Sequence, residues 1–122
     1  MYNLSFVYKL IPKELDLVIS IFENEYIFVL YKEGKFIGKF ELSAFSGNED
    51  FFVSRNMYVI DEYRNKTYGR LCRQIELEIS KRFHIPLITV VTSEVQCYIL
   101  RKFGWKKAVS NRYSSIWIYK EE

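Results

Sequence analysis

Residues 64–70 combine positive charge with residue types that allow sharp backbone turns. They are Arg64, Asn65, Lys66, Thr67, Tyr68, Gly69 and Arg70. Three of them are basic, Asn65 tolerates a left-handed backbone, and Gly69 has no side chain to obstruct a ligand. The first amides of a helix lack internal hydrogen-bond partners and carry partial positive charge. A helix that begins in this segment would therefore bind phosphate groups, with a plain turn between two elements as the alternative.

Positive charge is also concentrated between residues 101 and 112, which include five basic residues and no acidic one. The net charge of the whole chain is only +3. Two basic segments flanking one site would suit a polyanionic ligand, either a nucleic acid or a nucleotide cofactor. Domains that bind nucleic acid are usually more strongly basic, so the sequence favours the cofactor. The alternative is that both segments are solvated surface faces.

Residue counts disfavour several other kinds of chemistry. The chain has one histidine, His84, and two cysteines, Cys72 and Cys97, without the spacing of paired metal ligands, so we expect no metal site. Cys97 would need a neighbour that lowers its pKa before it could act as a nucleophile. The unpaired cysteines predict a cytoplasmic protein. The sequence shows neither a signal peptide nor an apolar run of about 20 residues, so we expect no association with a membrane.

The first half of the chain reads as strands around one helix. Hydrophobic patterns predict a strand over residues 2–9, a helix over residues 12–24 that begins at a proline, and a hairpin of two strands. The hairpin strands cover residues 26–31 and 36–42, and a fourth strand ends at residues 57–60.

The second half alternates helices and strands. Leu71, Ile75 and Ile79 recur at intervals of four and predict a helix that ends before a buried strand over residues 87–92. Ser93 has capping-box spacing and opens a second helix that ends at Gly104. Two closing strands cover residues 105–109 and 114–119. The predicted order is β-α-β-β-β-α-β-α-β-β, in one domain over residues 1–122, with the fourth and fifth strands parallel.

Residues 57–69 resemble the cofactor-binding segment of the GNAT N-acetyltransferase superfamily. In that family an apolar strand and an acidic–aromatic pair precede Arg or Gln, two residues, Gly, one residue, and Gly or Ala. Arg64 and Gly69 match the first and last positions, whereas Thr67 stands at the usual middle glycine. Downstream, residues 98–105 are similar to the family's helix that ends in Gly-Phe.

The resemblance implies a mixed α/β (α+β) fold with a mostly antiparallel seven-stranded sheet, one parallel pair of strands and flanking helices. It implies acetyl-CoA as acyl donor and direct transfer of the acetyl group to an amine acceptor, on a protein or a small molecule. Backbone groups of Met57 and Val59 would pair with the pantetheine arm, and Ser93 would lie near it. The remaining implied cofactor-binding residues are Arg64, Asn65, Lys66, Thr67, Tyr68, Gly69 and Arg70.

Catalytic residues are harder to assign. The family's tyrosine, which protonates the departing thiolate, would stand four residues before Gly104, where this chain has Leu100. Tyr98 lies about 200° around the helix from that position and should face elsewhere. Tyr98 is nevertheless kept as a catalytic candidate, with a packed aromatic as the alternative. Glu49, Asp50 and Glu94 are available as a general base, with surface carboxylates as the alternative. A GNAT-fold module without catalysis that binds a protein or nucleic acid is therefore the alternative function, and a monomer or a homodimer fits either one.

Overall fold

A computed structural model describes residues 2–63 and 67–121 of the chain. The strands are β1 (Asp16–Phe22), β2 (Glu25–Lys32), β3 (Lys35–Phe45), β4 (Phe51–Val59), β5 (Leu87–Val91), β6 (Lys106–Ser110) and β7 (Ser115–Tyr119). The helices are α1 (Tyr68–Phe83) and α2 (Glu94–Lys102), with short 3-10 helices at Ser5–Leu10 and Asp61–Tyr63. No helix among the described residues is long and apolar enough to cross a membrane.

The seven strands form one sheet in the order β1-β2-β3-β4-β5-β7-β6. β1 to β4 are an antiparallel meander. The pair β4–β5 is parallel because α1 returns the chain to the edge of the sheet where β4 begins, so β5 runs in the same direction as β4. β7 then pairs with β5, and β6 forms the edge. This confirms the mixed fold, the mostly antiparallel seven-stranded sheet and the parallel pair that the sequence predicts.

Two N-terminal predictions are wrong. Residues 2–9 do not form a strand, since Ser5–Leu10 is a 3-10 helix that buries Val7. Residues 12–24 do not form a helix, since Asp16–Phe22 is β1 and pairs along its whole length with β2. The segment is rich in Val, Ile and Phe, which favour strands, and its apolar residues fit a period of two as well as a helical period.

The core lies between the sheet and the two helices. On the helix side of the sheet Phe28, Phe40, Phe52, Leu87 and Trp117 are buried, and the Phe28 and Phe40 rings stack with centroids 4.5 Å apart. The opposite face is more open, and its Val18, Val90, Val109 and Ile118 side chains are exposed. Functional groups held on the helix side are therefore shielded from water.

Candidate functional site

A cleft opens where the two parallel strands diverge. Their pairing consists of Phe52 with Leu87, Val53 with Ile88, and Ser54 with Thr89, after which the strands separate. Asn56 causes the divergence, because it has a left-handed φ of 56° and lies where the register between β3 and β4 shifts. An extra residue of this kind bends a strand and increases its twist. The bulge therefore turns the end of β4 away from β5.

The cleft has a volume of about 220 Å³. Its walls are residues 54–57 of β4 and residues 89–93, which end β5 and lead into α2. Arg73 of α1 and Gln96 of α2 also line it. Ser93 caps α2 by accepting a hydrogen bond from the Gln96 amide at 3.1 Å, which confirms the predicted capping and fixes the orientation of this wall.

A buried polar network lies against the cleft. The Arg73 guanidinium donates through Nη1 to Glu76 Oε1 at 2.9 Å and through Nη2 to Gln96 Oε1 at 3.0 Å. The Ser54 hydroxyl donates to the other Glu76 oxygen, and Thr89 donates to the Ser54 carbonyl at 3.0 Å. These contacts join α1, α2, β4 and β5 where the strands begin to separate, so the network holds the cleft's shape.

Arg73 and Glu76 form a pair almost removed from solvent, with side-chain exposures of 3% and 0%. Burial raises the pKa of the Glu76 carboxyl, while the Arg73 charge and the Ser54 hydrogen bond act in the opposite direction. Arg73 Nε is buried and has no hydrogen-bond partner within the described part of the chain. The Arg73 guanidinium also lies 5.7 Å from the centre of the Trp105 ring.

A second concavity, of about 660 Å³, runs beside the N-terminus of α1. Thr67, Tyr68 and Arg70 line it, and so does the acidic Glu14 from the N-terminal segment. The first turn of α1 has no acidic residue, so its free amides and partial positive charge are not offset by a carboxylate on that turn. A Cβ added at Gly69 would meet no atom within 4 Å, so this turn has room beside it for a ligand.

The predicted cofactor-binding residues therefore fall in two adjoining places. Met57 and Ser93 line the cleft, whereas Thr67, Tyr68 and Arg70 line the concavity beside α1. Val59 is half-buried at the end of β4. The predictions for Arg64, Asn65 and Lys66 lie outside the described residues. Both places border the first turns of α1, so a long ligand could extend from one to the other.

The three catalytic candidates do not line the cleft. Tyr98 is exposed on α2, and its pKa is lowered by a hydrogen bond from Lys102 and by the charge of that residue. Glu49 lies in the loop before β4, at the end of the strand remote from α1's N-terminus. Glu94 is exposed on the first turn of α2 and lines a neighbouring cavity of about 180 Å³. Leu100 is completely buried in the core.

The sequence analysis missed Ser54, Arg73, Glu76 and Gln96. One signal was available, because Glu76 lies beside Ile75 and Ile79 on the apolar stripe of α1, where a charged residue needs a partner. Arg73, three residues earlier, has the charge and spacing to be that partner. The contributions of Ser54 and Gln96 depend on contacts of α1 with β4 and α2, and such contacts leave no comparable pattern in the sequence.

Neither a protein-family model nor a curated protein matches this sequence. Solved structures do match its fold. A GNAT family acetyltransferase from Elizabethkingia anophelis with acetyl-CoA bound has a TM-score of 0.68 at 12% identity, with 90% of this chain and 100% of that chain covered. The PaiA N-acetyltransferase from Thermoplasma acidophilum, in complex with coenzyme A, has a TM-score of 0.63 at 20% identity, with 80% and 62% covered.

FdhC, a nucleotide-linked sugar GNAT, has a TM-score of 0.68 at 16% identity, with 80% of this chain and 57% of that chain covered. The chain thus spans less than two thirds of the length of FdhC and of PaiA. Each of the three likenesses covers at least 80% of this chain. Together with the cleft between β4 and β5, they identify the fold of this protein as that of the GNAT superfamily.

Proposed function

We propose that this protein is an acyl-CoA-dependent N-acetyltransferase that moves an acetyl group from acetyl-CoA to an amine. The observation that carries the proposal is the cleft between diverging parallel strands, which Arg73 of α1 lines, on the helix whose first turn carries Arg70 and no acidic residue. Two structures of the same fold bear acetyl-CoA or coenzyme A in their names. The residues of this chain fit such a ligand, because a narrow cleft suits the pantetheine arm and free helix amides suit the pyrophosphate.

Each part of the donor would then have its own set of residues. Backbone groups of Met57 and Val59 would bind the pantetheine arm as an added strand, with Ser93 on the facing wall. The amides from Asn65 to Arg70 would hold the pyrophosphate, and the Arg70 side chain would add positive charge. The open space at Gly69 supports this assignment, because a Cβ placed there would meet no atom of the protein within 4 Å.

The reaction we propose is direct transfer. The donor supplies an activated acyl group as a thioester, and the protein holds the carbonyl against β4 while the acceptor amine, once deprotonated, attacks it. A backbone amide at the β4 bulge would stabilise the charge that develops on the carbonyl oxygen. The acceptor is an amine on a protein or a small molecule. We also propose a cytoplasmic setting, which the two free, buried cysteines support, and a monomer or homodimer as the working state.

Ligand-induced stabilisation tests the proposal first. A ligand present at 100 times its Kd stabilises a protein by about 2.7 kcal/mol, so acetyl-CoA should raise the Tm clearly. Pantetheine and adenosine 3′,5′-bisphosphate, each used alone, then show whether binding occurs in the cleft, at the helix terminus or at both. Mass spectrometry with a panel of amines then detects transfer. No change in Tm at millimolar acetyl-CoA would refute the proposal, and binding without any transfer would favour the non-catalytic module.

A further inference from the structure

We propose that Arg73 is a catalytic residue that stabilises the thiolate leaving from the acyl donor. The inference rests on the proposed function and adds a residue that the sequence analysis did not single out. When the thioester is cleaved, the amine nitrogen forms the C–N bond with its lone pair, and the C–S bond breaks. The electron pair of that bond goes to sulfur, and the proton lost by the amine goes to water. The sulfur therefore carries a negative charge inside the cleft, where it must be stabilised.

The side chains that line the cleft contain no acid able to protonate this sulfur near neutral pH. Within the described part of the chain its walls carry hydroxyl, amide, thioether and aliphatic groups and two arginines, but no Tyr, His, Cys or Lys. Leu100 is aliphatic and buried, and Tyr98 is exposed. A positive charge offers another route, since a nearby cation lowers the pKa of a thiol.

Of the two arginines, Arg73 is the one placed to act at low dielectric. Arg55 is exposed, whereas Arg73 is the one buried cation among the described residues. A charge in such a site acts more strongly than the same charge in water, because solvent screens it less. Four neighbours hold the guanidinium in place: Glu76, Ser54, Gln96 and the Trp105 ring.

The anchoring of Arg73 leaves one donor unused. Both terminal nitrogens have partners, but Nε is buried and has none within the described residues. Buried donors are nearly always paired, so this nitrogen lacks a partner that the fold would be expected to supply. Among the residues that the structure describes, three groups facing this region carry or can carry charge: Arg55 from β4, and Arg73 and Glu76 from α1. β5 and the first turn of α2 contribute the neutral Thr89 and Gln96, while the exposed Glu94 lines the neighbouring cavity.

The thiol pKa of bound coenzyme A tests the assignment without any knowledge of the acceptor. Binding is established first by calorimetry, and the thiolate is then followed by ultraviolet difference absorbance against ligand-free protein across a pH series. We expect the pKa of the bound thiol to lie at least one pH unit below that of free coenzyme A, which is a tenfold change in the acid dissociation constant.

Variants separate the charge of Arg73 from its structural contacts. Arg73→Gln alone leaves the buried Glu76 without its partner and risks unfolding, so the informative variant is the double substitution with Glu76→Gln. The double variant should return the thiol pKa to the free value. Glu76→Gln alone keeps the arginine, so its thiol pKa should stay at or below that of the parent. Lys81→Gln, which removes an exposed charge from the same helix, should leave the value unchanged.

Two results would overturn the assignment. The first is a bound thiol whose pKa equals the free value, and the second is a double variant that binds coenzyme A and keeps the parental shift. If coenzyme A does not bind the parent protein at all, the proposed function is refuted together with this assignment. Binding with an unshifted thiol refutes the assignment alone.

Discussion

Replacing Gly69 by glutamate should change stability and cofactor affinity in opposite directions. The structure has room for the side chain, since a Cβ at this position meets nothing within 4 Å. Gly69 is the second residue of α1, so glutamate gains helix propensity, worth about 0.5 kcal/mol. Its charge at the N-terminus adds about 0.3–1 kcal/mol. Together these should raise the Tm of the ligand-free protein by about 3–5 °C.

The same carboxylate should weaken binding if the pyrophosphate lies at this turn. Two like charges about 4 Å apart repel by about 1 kcal/mol in water and about 4 kcal/mol near a protein surface. The Kd for acetyl-CoA, measured by calorimetry, should therefore rise roughly 5- to 1000-fold, and added salt should reduce the effect. Gly69→Gln is the matched control, with similar size and helix propensity but no charge. Equal losses in both variants, or parental affinity in Gly69→Glu, would refute a phosphate site here.

Four further substitutions or measurements test the fold and its ionisable groups. Gly38→Ala places a Cβ 2.6 Å from the Tyr58 carbonyl oxygen, so it should lower the free energy of unfolding in urea by about 1–3 kcal/mol. Leu100→Tyr overfills a fully buried position and should also destabilise the protein, and a Tm at or above that of the parent would show that the site is looser than described. Burial raises the pKa of Cys72 to about 12, so its alkylation at pH 8 should require unfolding, which mass spectrometry of labelled peptides can verify. The pKa of Glu76 is raised in the folded protein, so its stabilising contribution is complete below the ordinary value of about 4.5 and is lost as pH rises through the folded value. Glu76→Gln should accordingly gain stability relative to the parent as pH rises above 4.5, and a constant difference would contradict the raised pKa.

The sequence predicted those elements whose patterns are local and unambiguous. Leu71, Ile75 and Ile79 recur at intervals of four and indicate a helix, and Ser93 and Gly104 mark the two ends of the next one. The N-terminal segment failed because its apolar residues suit two periods, and pairing with β2 decided between them. The extent of residues 1–122 as a single domain stays a prediction.

The candidate site was predictable only where it depends on backbone and local charge. Gly69 and Arg70 lie at the start of α1, as their positions after an apolar strand indicate. The contact of Ser54 with Arg73 and Glu76 needed the structure, because Ser54 is remote from them in the chain. Leu100 shows that a family's residue roles cannot be assigned by aligned position alone. The position suggests a role in chemistry, whereas its side chain is part of the core.

The short parallel pairing of β4 with β5, which is three residue pairs long, also has a consequence for the order of folding. Each strand of the β1–β4 meander pairs with its neighbour in the sequence, whereas β5 can reach β4 only after the whole of α1 has been placed between them. Pairings that close long loops form more slowly than local ones. We therefore expect the meander to form early and the β4–β5 pairing late. Amide hydrogens of β5 should then gain protection from exchange after those of β2 and β3.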